Sequence, residues 1–164
     1  MPIYPMYLTM SKEETMNNFQ RVGAVSNSHV GREFEARARE YFESHGISLE
    51  AGVSIKIGIE GKSKAHMFDL GDLEKQVLVE CKSHTWTAAG KVPSGKMKAW
   101  NEAMYYFFAA PRSFRKIFFV LKDYNQSRQE TLLDYYLRTY DHLVPSEIEF
   151  WEYDEKLGTA ERKR

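Results

Sequence analysis

Residues 77–82, Val-Leu-Val-Glu-Cys-Lys, carry an apolar run straight into two charged side chains. Neighbouring side chains on a strand point to opposite faces, so Glu80 and Lys82 share one face and Cys81 takes the other. An ion taken out of water costs several kcal/mol unless it is paired or bound to a metal, so such a strand needs a reason to carry charge. Just upstream, His66-Met67-Phe68-Asp69-Leu70 reads as the preceding strand, and Gly71-Asp72-Leu73-Glu74-Lys75 as a hairpin turn. Asp69 is therefore expected to meet Glu80 and Lys82 across the hairpin. Asp72, inside the turn, is the less favoured acid.

Two carboxylates beside an ammonium suit Mg²⁺, which takes hard oxygen ligands and is held by one or two carboxylates together with waters and substrate phosphates. Asp69, Glu80 and the backbone carbonyl of Cys81 are the expected ligands, with Mn²⁺ as a substitute. Lys82 would stabilise charge developing on a phosphodiester under attack, or orient and deprotonate the attacking water. A lysine beside a carboxylate shifts its pKa, which an arginine does not. Taken alone, a Glu-x-Lys strand is more often a same-face ion pair worth less than about 1 kcal/mol. The upstream acid is what lifts this one above that reading.

The pattern of Asp69 followed by Glu80-Cys81-Lys82 resembles the PD-(D/E)XK nucleases. That family carries an acid on one strand, a short hairpin, then (D/E)-x-K after an apolar run. The proline that often precedes the first acid is replaced here by His66-Met67-Phe68. The family also tends to carry a glutamate on its first helix, in G-x-x-x-E or G-x-x-F-E, and Gly31-Arg32-Glu33-Phe34-Glu35 matches it. Val30, Phe34, Ala38, Tyr41 and Phe42 independently form one apolar stripe at helical spacing. Gly31 on that stripe is expected to let the helix approach the sheet closely, with Glu35 reaching inward and Glu33 facing solvent. The resemblance spans Val30 to Ser83. It implies a catalytic set of Glu35, Asp69, Glu80 and Lys82 on an α/β fold. The implied fold is a restriction-endonuclease-like αβββαβ core, a mixed central sheet flanked by helices, with an additional C-terminal helix and strand.

The remaining elements follow from periodicity. Ile47, Leu49, Ala51, Val53, Ile55, Ile57 and Ile59 alternate with polar residues and glycines as a half-buried strand, bent at Gly52. Helices are expected over 94–109 and 127–142, an interior strand at Ile117-Phe118-Phe119-Val120-Leu121, and a last strand near Ile148 to Tyr153. A chain of 164 residues with 43% hydrophobic content is expected to form one domain around one core. Residues 1–28 read as an N-terminal extension, 29–158 as the domain and 159–164 as a frayed basic tail.

Twenty-three basic residues balance twenty-three acidic ones, so no global field favours nucleic acid and basic groups must gather locally. His84, Trp86, Lys96, Lys98 and Asn101, which follow the charged strand, are the expected DNA contacts. The single cysteine, Cys81, excludes an intramolecular disulfide and fits a reducing cytoplasm. With no apolar run near the ~20 residues of a spanning helix and no leader-like start, a cytoplasmic protein without membrane contact is expected. The expected function is a Mg²⁺-dependent deoxyribonuclease, restriction-type or allied in DNA processing. One site cuts one strand, so a double-strand cut implies a homodimer. The rivals are a structure-specific junction or repair nuclease, an RNA-directed enzyme, and an inactive nucleic-acid-binding or assembly protein on the same fold.

Overall fold

Apolar runs at Val77 to Val79 and Ile117 to Val120 are buried along their whole length, which a strand achieves only when both its faces are covered. They form β3 (Val77–Lys82) and β4 (Arg115–Leu121), parallel neighbours at the centre of the sheet. The computed structural model describes residues 27–164, so the expected extension lies outside the described residues except for its last two positions. The sheet has six strands: β1 (Glu50–Ile57), β2 (Lys64–Asp72), β3, β4, β7 (Ile148–Asp154) and β8 (Thr159–Arg162), in that spatial order. Pairing is antiparallel from β1 to β3, parallel from β3 through β4 to β7, and antiparallel again at β8. A separate two-stranded hairpin joins β5 (Tyr124–Asn125) to β6 (Glu130–Thr131).

Helices cover both faces. On one face, Phe34, Ala38 and Phe42 of α1 (Asn27–Ser44) pack on Val79, Cys81, Ile117 and Phe119. On the other, Met97, Trp100 and Met104 of α2 (Ser94–Ala109) and Leu132 and Tyr136 of α3 (Leu132–Tyr140) pack on Leu78, Phe118, Val120 and Phe150. The chain is thus a mixed α/β protein whose mixed sheet is flanked by helices. No helix among the described residues is long and apolar enough to cross a membrane.

Four expectations need correction. The helix expected over 127–142 starts only at Leu132, because Thr131 and Asp134 close a reciprocal capping box there and residues 124–131 fold back as the hairpin. The tail expected to fray instead forms β8: Trp151 pairs Arg162, and Lys163 donates its N–H to the Phe150 carbonyl. Charged side chains on an edge strand conceal the backbone pairing that holds it. A single core was expected, and the sheet divides it into two. Finally, Gly31 does not mediate a close approach, since a Cβ built there meets nothing within 4 Å.

Candidate active site

The β2–β3 hairpin is short. Leu70 pairs Val79, Gly71 pairs Leu78 and Asp72 pairs Val77, and the ladder stops there. Beyond it β2 stays with β1 as far as Lys64, while β3 stays with β4 as far as Lys82, so the two strands splay into a fork. The backbone also turns over at this level. Phe68 and Leu70 would share a face on a regular strand, yet they pack in opposite cores. Across from Asp69, Gly52 holds φ at +67°, a left-handed conformation that bends β1 where the sequence expected it to bend.

Asp69 sits at the root of the fork. Its Oδ2 accepts the Cys81 backbone N–H at 2.7 Å, where a further rung of the ladder would otherwise form. The Lys82 Nζ lies 2.7 Å from Glu80 Oε2 and 3.6 Å from Asp69 Oδ2, which puts both carboxylates on the same side of the sheet. Glu80 is 6% exposed. His66, from the β2 arm, places Nε2 3.7 Å from Glu80 Oε1 and stacks on Tyr106 of α2 at 3.9 Å. That Nε2 is buried and has no hydrogen-bond partner among the described residues. Tyr106 in turn donates its hydroxyl to Glu102 at 2.7 Å.

Burial dominates the electrostatics. It pushes the Glu80 carboxyl up to about 7, with the Asp69 charge adding to the rise and Lys82 opposing it. Glu35, half-buried on α1, is raised by burial first and by Asp69 second, so it reaches the same field from the α1 side. Burial works against the Lys82 ammonium, but the charges of Glu80 and Asp69 outweigh it and hold its pKa above the ordinary lysine value. Lys82 is therefore a cation at neutral pH, suited to stabilising charge. A proton-accepting role gains no support from that direction. The Cys81 thiol is driven well above its usual range by burial and packs against α1, so it is not a nucleophile.

The donor set fits a hard divalent cation. Among the described residues no three His, Cys, Asp or Glu side chains gather into a metal cage. Asp69 and Glu80 provide two carboxylates on one side of the sheet. That is the number Mg²⁺ uses when waters and substrate phosphates complete its shell. Glu80 is also a carboxylate whose ionised form lacks sufficient compensation, which a bound cation would supply.

The expected DNA contacts separate into two groups. Lys96 is exposed and lines a cleft with Lys82 and His84, on α2 and on the segment leaving β3. Trp86 is buried: its indole N–H donates to the Asp123 carbonyl at 3.0 Å and its backbone N–H to the Asp123 carboxylate at 2.7 Å. It fastens the loop after β3 to the β5–β6 region and presents no face for a base. Asn101 is spent inside α2, its Oδ1 accepting the Tyr136 hydroxyl at 2.9 Å. Lys98 is exposed but does not line the cleft. Sequence reasoning missed the fastening role of Asp123 and the stacking of Tyr106 on His66, which depend on partners 37 and 40 residues away. Asp72 accepts the Lys75 backbone N–H at 2.9 Å in the turn, whereas Asp69 lies 3.6 Å from the Lys82 ammonium.

No protein-family model, curated protein or solved structure matches this chain.

Proposed function

We propose that this protein is a metal-dependent phosphodiesterase of the PD-(D/E)XK type, acting on DNA. The observation that carries the reading is the convergence of Asp69 and Glu80 on the Lys82 ammonium, at 3.6 and 2.7 Å, in the mouth of a fork between two strands. Six strands in a mixed sheet between helices agree with a restriction-endonuclease-like core, here extended by α3, β7 and the edge strand β8.

Asp69 and Glu80 would hold Mg²⁺ or Mn²⁺, and the ion would supply Lewis acidity to the scissile phosphate. Asp69 is held at the root of the fork by the bond it accepts from Cys81 N–H. Lys82, cationic and two residues from Glu80, stabilises negative charge as it builds on the phosphate oxygens. Glu35, its carboxyl raised by burial first and by Asp69 second, would orient the attacking water from the α1 side. Cutting both strands of a duplex would require a second copy of the chain in a homodimer.

Supercoiled plasmid tests the reading directly. Incubation with the full chain and Mg²⁺ should give nicked or linear DNA, EDTA should abolish cleavage, and Asp69→Asn should be inactive. An intact plasmid under the first condition, with no Mn²⁺ binding by calorimetry, would replace this reading with that of a non-catalytic binding protein.

A further inference from the structure

Lys82 has two neighbourhoods. Toward the fork it meets Asp69 and Glu80. It also lines a cleft of about 590 Å³ whose lining contains no carboxylate. In a protein with as many acidic as basic residues, this cleft gathers two lysines and no acid. Its size is that of a pocket enclosing a small guest. A specific duplex complex instead spreads its contacts over roughly 1,000 Å² or more of protein surface.

Every polar side chain of the cleft can donate a hydrogen bond. His84 Nδ1 accepts the Trp100 indole N–H at 2.8 Å, and an indole nitrogen can only donate. The neutral ring must then carry its proton on Nε2. Burial, with Lys96 and Lys82 adding to it, lowers the His84 pKa to about 4, so the ring stays neutral and keeps that tautomer. His84 therefore lines the cleft as a neutral ring with its N–H on Nε2, a tautomer that cannot ligate a metal through that nitrogen. Thr87 Oγ1 already accepts the Lys91 backbone N–H at 2.9 Å, which leaves its hydroxyl hydrogen to donate. Lys82 and Lys96 donate by nature, and the hydroxyls of Ser83 and Thr85 complete the lining. The wall that carries these groups is fixed: Asp123 holds Trp86, and Asn125 Nδ2 donates to the Gly90 carbonyl at 3.0 Å.

We propose that this cleft seats an unpaired nucleic-acid strand, taking the phosphate next to the one that meets Asp69 and Glu80, so that overhangs, flaps and other single-stranded segments are preferred over intact duplex. The proposal rests on the nuclease reading for the direction of the strand, but the binding it describes needs no metal. Two ammonium groups, an imidazole N–H and hydroxyl donors, with no carboxylate among them, suit the phosphate oxygens of a strand.

Fluorescence anisotropy of the full chain in EDTA separates the two readings, because no cleavage can occur. A labelled single strand and a duplex with an overhang should bind about tenfold more tightly than a blunt duplex of the same length. Lys96→Gln should weaken single-strand binding and flatten its dependence of log affinity on log salt by about 0.7, the share of one phosphate contact on a single strand. Lys96 is exposed, so its melting temperature should not move. Nitrogen NMR of the imidazole should show the Nε2–H tautomer of His84 in the free protein and a shift of that nitrogen on adding the single strand. Equal affinity for blunt and single-stranded DNA, or an unchanged salt slope in Lys96→Gln, overturns the cleft assignment. So does a blunt duplex cut as fast as an overhang, which would leave the nuclease reading standing. Tight single-strand binding with no Mg²⁺-dependent cleavage would keep the cleft assignment and sink the nuclease.

Discussion

Asp69 Oδ2 accepts the backbone N–H of Cys81 at 2.7 Å, so one carboxylate both closes the β2–β3 ladder and faces the candidate metal site. The two roles draw on different properties of the side chain. Accepting a hydrogen bond needs only an oxygen, whereas holding a divalent cation beside Glu80 needs the charge.

Asp69→Asn should therefore fold with a stability within about 1 kcal/mol of the parent, since the amide oxygen can still take the Cys81 N–H. It should lose cleavage by at least about a hundredfold. Asp69→Ala should lose cleavage equally and also about 1–2 kcal/mol of stability, the cost of a buried donor left unpaired. Urea melts beside plasmid assays check the split. If both variants proved equally stable, the ladder-closing role would be refuted.

Lys82→Met tests the counter-charge. Its removal leaves Glu80 buried beside Asp69 without its ammonium partner, which should cost about 3 kcal/mol at pH 8. The sign follows from the raised Glu80 pKa: near pH 6 that carboxyl takes up a proton and the penalty shrinks. Millimolar Mg²⁺ should raise the melting temperature of Lys82→Met more than that of the parent, because the ion replaces the missing ammonium. Cleavage should fall by orders of magnitude while Mn²⁺ binding by calorimetry persists. A variant that neither melts earlier at pH 8 nor gains more from Mg²⁺ would show that Lys82 does not balance these acids.

Much of this site was legible because strand alternation and a hairpin turn are local rules. Asp69, Glu80 and Lys82 come together as period two requires, and α2 runs from Ser94 to Ala109 as its apolar face and the following Pro111 foretold. What failed depended on distant partners. The indole of Trp86 and the amide of Asn101 look free in sequence, but Asp123 and Tyr136 claim them from 37 and 35 residues away. Thr131-Leu132-Leu133-Asp134 carries a helix-start signal, yet the helix was expected from Ser127, ahead of the first inward apolar residue, Leu132. The fork itself was not legible, because strand separation beyond Leu70 reflects which neighbour each strand keeps.

Gly31→Ala should stabilise the protein by about 0.5–1 kcal/mol. Glycine inside a helix forfeits backbone entropy, and a Cβ at this position of α1 meets nothing within 4 Å. The gain should appear as a higher urea midpoint with an unchanged slope. A loss of stability would restore the close approach of α1 to the sheet that the sequence implied.

Glu152 lies 2% exposed on β7, and its Oε1 has no hydrogen-bond partner among the described residues. Burial raises its pKa, with the Thr131 hydrogen bond and Lys163, 3.9 Å away, only partly opposing. A carboxyl raised in the folded state binds its proton more tightly there than in the unfolded chain. Stability is therefore greatest below the unfolded value of about 4.3 and declines as pH rises above it. Glu152→Gln removes that titration while keeping an oxygen for Thr131. The variant should match the parent near pH 4 and exceed it by about 1 kcal/mol at pH 8, measured as a difference in urea midpoints. Because Glu152 packs toward α3 and away from the β2–β3 fork, plasmid cleavage at saturating Mg²⁺ should be unaltered. A parent at least as stable as the variant at pH 8 would mean that Lys163 compensates the buried charge in full.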